Sequence, residues 1–270
     1  MATSIYHHSS KSQLEYSVFG RGKKTLVCYH GFGQKPDDFQ FLEDHLIDYR
    51  IIVIRLFYHG RSKRRNNEIS HIRIPEWKII FTDFLHSLQI ERFSLLAYSM
   101  GGRFALASFL GSENKIDQVI LVAPDGIIRR FWYQLATFPV VLRQVFYLLM
   151  IEPKPFFWLL DRLEKKGWMN QTMIKFARKE LQSEDKRLLV YRTWVSFKHL
   201  RIPQKQLIQH VNQSASHFTF IFGEKDKMID PVPHQHFLSQ LKKSDIHITT
   251  YGHNKLVENT INIIAATLNK

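Results

Sequence analysis

The stretch that most constrains this 270-residue chain is Ser94-Leu-Leu-Ala-Tyr-Ser-Met-Gly-Gly-Arg-Phe104. Phe93 to Ala97 is a short apolar run of the kind that forms a buried strand. Phe104-Ala-Leu-Ala-Ser-Phe-Leu110 reads as a helix. Only a sharp turn can join the two. In such a turn the side chains two positions either side of the central residue would collide, and Ala97 and Gly101 are the small residues that avoid this. Ser99 is then held in a strained backbone conformation with its hydroxyl pointing out, the arrangement called a nucleophile elbow. The first small residue is usually Gly, and here it is Ala. A Gly-rich strand-to-helix turn with an incidental serine has the same signature, so the rest of the chain must decide.

In order along the chain, residues 12–19 alternate weakly as a first strand, and Gly20-Arg-Gly22 breaks it. Thr25-Leu-Val-Cys-Tyr29 is an apolar run ending in His30-Gly31-Phe32-Gly33. Pro36 opens a helical stretch, and Ile51 to Leu56 is the next strand. Tyr58-His59-Gly60-Arg61-Ser62 and a polar loop, Lys63 to Ser70, follow it. Pro75 starts a helix with Trp77, Ile80, Phe81, Phe84, Leu85 and Leu88 on one face. After the elbow comes the strand Gln118 to Ala123, stopped by Pro124-Asp125-Gly126. From Ile127 to about Gln213 the pattern is helical throughout and rich in aromatics, broken by Pro153 and Pro155. Alternation then resumes with strands at Phe218–Phe222 and Asp245–Tyr251, and helices at 231–241 and 255–268.

Short apolar strands alternating with helices predict a mostly parallel central sheet with helices on both faces. The expected organisation is a core of residues 1–126 and 214–270, with a helical cap, residues 127–213, inserted late in the sheet. Sites in such sheets lie at the carboxyl ends of the strands. The cap is inserted at that same end and is expected to act as a lid.

The composition is globular, with 44% hydrophobic and 23% charged residues, ample for a core. The lone cysteine, Cys28, makes no internal disulfide and fits a reducing compartment. The N-terminus shows no basic-then-apolar secretory pattern, and no run approaches the ~20 apolar residues of a membrane span. The expected location is cytoplasmic. The formal charge is +14, and residues 126–205 hold sixteen Lys and Arg against six Asp and Glu. This excess fits weak association with an anionic membrane surface through the cap, and equally a solvated helical surface. No nucleic-acid partner, metal or cofactor is expected, and oligomeric state is left open.

A serine hydroxyl needs a base, and the base an orienting acid. His253 follows the last strand, and Asp226 lies three residues past Gly223 at the end of the strand before. Asp226 fits the acid best, with Glu224, Asp230 and Asp125 as alternatives. The backbone amides of Met100 and Phe32 are placed to stabilise an oxyanion. His30 is read as structural, bonding loop backbone.

Together, His30-Gly31-Phe32-Gly33, His59-Gly60-Arg61-Ser62, Ala97-Tyr98-Ser99-Met100-Gly101-Gly102, Gly223-x-x-Asp226 and Gly252-His253-x-x-x-x-Glu258 resemble the α/β-hydrolase superfamily along nearly the whole chain. Arg55-Leu-Phe-Tyr58 departs from it, since members usually have Asp and Pro-Gly in that run. Tyr98 to Arg103 also looks like the menaquinone-pathway synthase that eliminates pyruvate from its substrate, the cyclohexadiene carboxylate synthase. The resemblance implies a Ser99-Asp226-His253 triad cleaving an ester or related acyl bond of a small apolar or anionic substrate. The synthase likeness implies Arg103 gripping a substrate carboxylate, and Tyr98 beside it is a further substrate-binding candidate. Arg129 and Arg130, at the start of the cap, are read either as further cation for the substrate, Arg129 first, or as solvated helix-end charges. The alternatives are C–C bond hydrolysis or elimination on a carboxylate substrate, and a non-catalytic ligand-binding member of the fold.

Overall fold

A computed structural model describes residues 2–65, 69–167 and 171–269. The polar loop read between Lys63 and Ser70 therefore lies partly outside the described residues, as do residues 168–170 of the long helical segment. The chain divides into two compact units, one of residues 1–68, 72–128 and 200–270, the other of residues 69–71 and 129–199.

The first unit is built on eight strands: β1 (Ala2–His7), β2 (Gln13–Phe19), β3 (Lys24–Tyr29), β4 (Tyr49–Ile54), β5 (Phe93–Tyr98), β6 (Ile116–Val122), β7 (His217–Gly223) and β8 (Ser244–Thr249). Their order across the sheet is β1-β2-β4-β3-β5-β6-β7-β8. β2 pairs antiparallel with β1 and β4, and every other pairing is parallel. All six residues of β5 are buried, whereas β8 at the sheet edge is half-exposed. This is why the central strands read as continuous apolar runs and β8 as an alternating one. β1 was not foreseen, because Ala2-Thr-Ser-Ile-Tyr-His7 has no apolar run to announce it and is held by its pairing with β2.

The first helices of this unit are α1 (Leu42–His45), α2 (Ile74–Ser87) and α3 (Gly101–Phe109). α2 begins at a proline and buries Trp77, Ile80, Phe81, Phe84 and Leu85, the face read from helical spacing. Trp77 is fully buried against Phe104 of α3, ring centroids 4.9 Å apart. Its indole N–H donates to Ser108 Oγ at 2.8 Å, and the same oxygen lies 2.8 Å from the Tyr29 hydroxyl. One buried serine thus satisfies two aromatic polar groups and ties α2, α3 and β3 together.

The second unit holds α4 (Phe131–Thr137), α5 (Val140–Ile151), α6 (Lys154–Lys165), α7 (Gln171–Glu180) and α8 (Glu184–Phe197). Its described residues form no strand. Phe146 of α5 packs on Tyr191 and Trp194 of α8. The Arg187 guanidinium, buried, donates to the Met150 carbonyl at 2.6 Å and so closes the end of α5. A cavity of about 340 Å³ in this unit is lined by Ile69, His71, Arg143, Tyr147, Tyr191 and Val195.

The chain re-enters the core unit at residue 200. There α9 (Gln204–Gln213) lies within the core unit rather than with the helices before it. The Asn212 side chain donates to the Gln240 carbonyl at 2.9 Å and accepts from the Lys242 amide at 2.8 Å. Short α10 (Gln235–Leu238) follows β7, and α11 (Leu256–Asn259) and α12 (Ile261–Leu268) close the chain.

Candidate active site

The sheet order reverses direction at β3 and β5. β3 leads to β4 on one side of itself, while its other neighbour, β5, leads on to β6 in the opposite direction. The loops leaving β3 and β5 therefore diverge at the carboxyl edge, which is where a ligand crevice forms in a parallel sheet.

Ser99 follows β5 directly and has φ 51°, in the left-handed region. Such a conformation costs a non-glycine residue roughly 1–3 kcal/mol, and it persists only where neighbours over-determine it. Here the Ser99 amide donates to the Val122 carbonyl at 3.0 Å, and the Ser99 carbonyl accepts from Gly102 at 2.9 Å and Asp125 at 2.8 Å. A Cβ on Gly101 would lie 2.4 Å from the Tyr29 carbonyl oxygen, so the turn admits only glycine there. Ala97 is fully buried, and its methyl group is accommodated where glycine is usual.

The loops after β7 and β8 are laced together. The Glu224 amide donates to Thr249 at 2.7 Å, and the Lys225 amide to Tyr251 at 3.1 Å. This brings Asp226 beside His253. Oδ1 of Asp226 accepts from the Met228 and Ile229 amides, both at 2.8 Å, leaving Oδ2 to His253 Nδ1 at 2.6 Å. A carboxylate only accepts, so Nδ1 carries the proton and Nε2 is the free acceptor. Nε2 lies 3.1 Å from Ser99 Oγ. Asp226 is buried and Ser99 half-buried.

The other acids have different partners. Asp125 pairs with Arg103 Nε at 2.7 Å. Asp230 accepts from the Val232 amide at 2.9 Å, a local turn bond. Glu224 is exposed.

Arg103 is buried and held by that ion pair, a setting at odds with an arginine reserved for a substrate carboxylate. Tyr98 is buried too. Its hydroxyl donates to the His253 carbonyl and its ring lies 5.0 Å from the imidazole. Burial and the nearby Asp226 charge push its phenol pKa up, keeping it a neutral donor. These contacts give Tyr98 a place in positioning the His253 loop. Arg129 stands exposed at the start of the helical unit.

Phe32 follows β3 and Met100 precedes α3. Among the described residues neither backbone amide donates to a protein acceptor. Two buried histidines shape the loop that carries Phe32. His30 Nε2 accepts from the Leu56 amide at 3.0 Å and its Nδ1 bonds the Gly31 carbonyl at 2.7 Å. His59 Nε2 accepts from the Gly33 amide at 3.1 Å and its Nδ1 bonds the Phe57 carbonyl. Burial lowers both pKa values, that of His59 to about 4, so both rings are neutral. His59 had no role in the sequence reading beyond its motif. Its partner Gly33 is distant in sequence.

The unusual run Arg55-Leu-Phe-Tyr58 is held by buried Glu15, which pairs with Arg55 at 3.4 Å and Arg61 at 3.3 Å. Tyr58 at φ 68° and Gly60 at φ 51° then make the turn that presents His59. Among the described residues no group of three or more His, Cys, Asp or Glu is arranged to hold a metal ion.

A family model described as the alpha/beta hydrolase fold matches residues 24–260. An uncharacterized hydrolase of Bacillus subtilis, YugF, is 30% identical over 110 residues, 40% of this chain and 40% of that protein. A provisionally named 2-succinyl-6-hydroxy-2,4-cyclohexadiene-1-carboxylate synthase from the same organism is 25% identical over 111 residues, again 40% of each. The chain thus matches less than half the length of these relatives. Among solved structures, a thermophilic esterase from Thermogutta terrifontis superposes with TM-score 0.71 at 15% identity, covering 100% of this chain and 98% of that one. At that identity the likeness concerns the fold alone.

Proposed function

The chain belongs to the α/β-hydrolase fold family, and from that premise we propose that it is a serine hydrolase cleaving an ester or related acyl bond. The observation that carries this reading is the unbroken hydrogen-bonded line from Ser99 Oγ through His253 to Asp226, at 3.1 and 2.6 Å. In the proposed mechanism Ser99 Oγ attacks the acyl carbon while its proton passes to His253 Nε2. Asp226 stabilises the imidazolium through the Nδ1 hydrogen bond. The oxyanion accepts from the Met100 and Phe32 amides, which among the described residues have no protein acceptor. His253 then protonates the leaving group, and the acyl-enzyme is hydrolysed by water with the same base.

Elimination or C–C cleavage on a carboxylate is the second reading, favoured by the partial likeness to the cyclohexadiene carboxylate synthase. It needs a free cation at the site, and the Arg103–Asp125 pair weakens it. The helical unit is inserted in the chain after β6, whose end lies at the carboxyl edge of the sheet, and before α9 and β7. That insertion point supports its reading as a cap that selects substrate. The reading extends to a peripheral, cytoplasmic enzyme, consistent with Cys28 being a free thiol and with no single described helix being long and apolar enough to cross a membrane.

Turnover of aryl esters of graded acyl length, beside an anionic carboxylate panel, tests it. The wild type is expected to hydrolyse esters and Ser99→Ala to lose activity by roughly 10⁴-fold or more. Ester turnover retained in Ser99→Ala would remove the proposed mechanism, and Ser99-dependent elimination without ester cleavage would favour the second reading.

A further inference from the structure

The helical unit carries large apolar side chains in water. Phe131 and Trp132, at the start of α4, are 68% and 76% exposed. On α5, Val141, Val145 and Leu148 are 69%, 46% and 62% exposed and spaced i, i+4, i+7, so they form one stripe along the helix. The opposite face, with Phe146 and Met150, is the one bonded to α8. On α6, Trp158 is exposed with the Arg162 guanidinium 4.4 Å above its ring. Exposed apolar side chains arranged this way mark a surface that meets something.

The charge pattern narrows what that is. From Arg129 to Ile151 the chain has three arginines and no acidic residue. On α6 the acids Asp161 and Glu164 both pair with Arg178, so a second copy docked with this stretch across a two-fold axis would set arginines against arginines. No single described helix is long and apolar enough to span, and α4 and α5 pass that test only together, as a bent pair. The 12 residues of α5 reach about 18 Å, well short of the ~30 Å hydrocarbon core, and α4 and α5 meet at a 92° bend. Apolar side chains including tryptophans, flanked by basic residues on short helices, suit the boundary between headgroups and acyl chains. We propose that the exposed apolar face of α4, α5 and α6 docks the protein on a bilayer rich in anionic lipid, lying in the interface without crossing it.

The test is co-sedimentation of the full chain with vesicles of phosphatidylcholine alone, and of phosphatidylcholine with roughly 30% phosphatidylglycerol. Binding is expected on the anionic vesicles, at least about tenfold weaker on neutral ones, and reduced as salt rises from ~0.01 to ~0.1 M. Val141→Ser/Val145→Ser/Leu148→Ser, and separately Trp132→Ser, should each weaken it several-fold. Circular dichroism and an unchanged melting temperature verify that the variants fold, and the lipid and salt comparisons on the wild type need no variant. Absence of sedimentation with either vesicle would overturn the proposal. So would binding insensitive to lipid charge and to these substitutions, or resistance of the bound protein to alkaline extraction. A dimer dissolved by the same substitutions, without vesicle binding, would assign the face to a second copy instead.

Discussion

At Asp226 the proposed chemistry rests on a division of labour between two oxygens. Oδ1 is saturated by two backbone amides and Oδ2 faces Nδ1 of His253. Asp226→Asn keeps a similar shape but lets an amide N–H face Nδ1, favouring the tautomer whose Nε2 can no longer accept from Ser99. kcat should fall by roughly 10⁴-fold with the fold intact. Asp125→Asn should instead loosen Arg103 and reduce stability more than it changes kcat. The reverse ranking, read from ester kinetics and urea midpoints, would assign the acid to Asp125. His59 offers a pH test. Its pKa falls from the ordinary 6.5 to about 4 in the folded state, so protonation favours unfolding. Its contribution is complete above about pH 6.5 and is lost as pH drops towards 4, worth on the order of 3 kcal/mol. Urea midpoints should fall across that window, and less steeply in His59→Gln.

The elements explain why the candidate site was partly legible. A serine between Ala97 and Gly101, after an apolar run, identifies the elbow because steric limits there are local. Asp226 and His253 could be singled out because each stands just beyond a strand, and strand ends share one edge. Contacts between distant loops left no such trace. Tyr98 on the His253 carbonyl, Arg103 on Asp125 and His59 on Gly33 join residues whose types fit many roles. β1, an edge strand without an apolar run, was silent for the same reason, and so was the membership of α9 in the core unit. The elbow carries its own prediction. A methyl on Gly101 would press on the Tyr29 and His30 carbonyls at 2.4–2.8 Å. Gly101→Ala should lower the melting temperature by several degrees and kcat by more than tenfold, as overpacking of backbone against backbone has little room to relax. An unchanged melting temperature and rate would mean the turn is looser than its contacts imply.

Over the whole molecule, charge and chemistry are separated along the chain. The residues proposed for catalysis all lie in the core unit, whereas most of the basic excess lies between residues 126 and 205. Long-range attraction is screened as the Debye length shrinks from ~30 Å at 0.01 M salt to ~10 Å at 0.1 M. For an anionic ester, kcat/KM should therefore fall over that range while kcat holds, and a neutral ester of similar size should change little. Equal responses would reduce the charge to ordinary solvated surface. The central claim, that Ser99 is the nucleophile, is tested most directly by peptide mapping after reaction with a fluorophosphonate. A single adduct on the Ser99 hydroxyl is expected, absent in Ser99→Ala and strongly slowed in Asp226→Asn. An adduct on another residue, or none while the ester is still turned over, would contradict it.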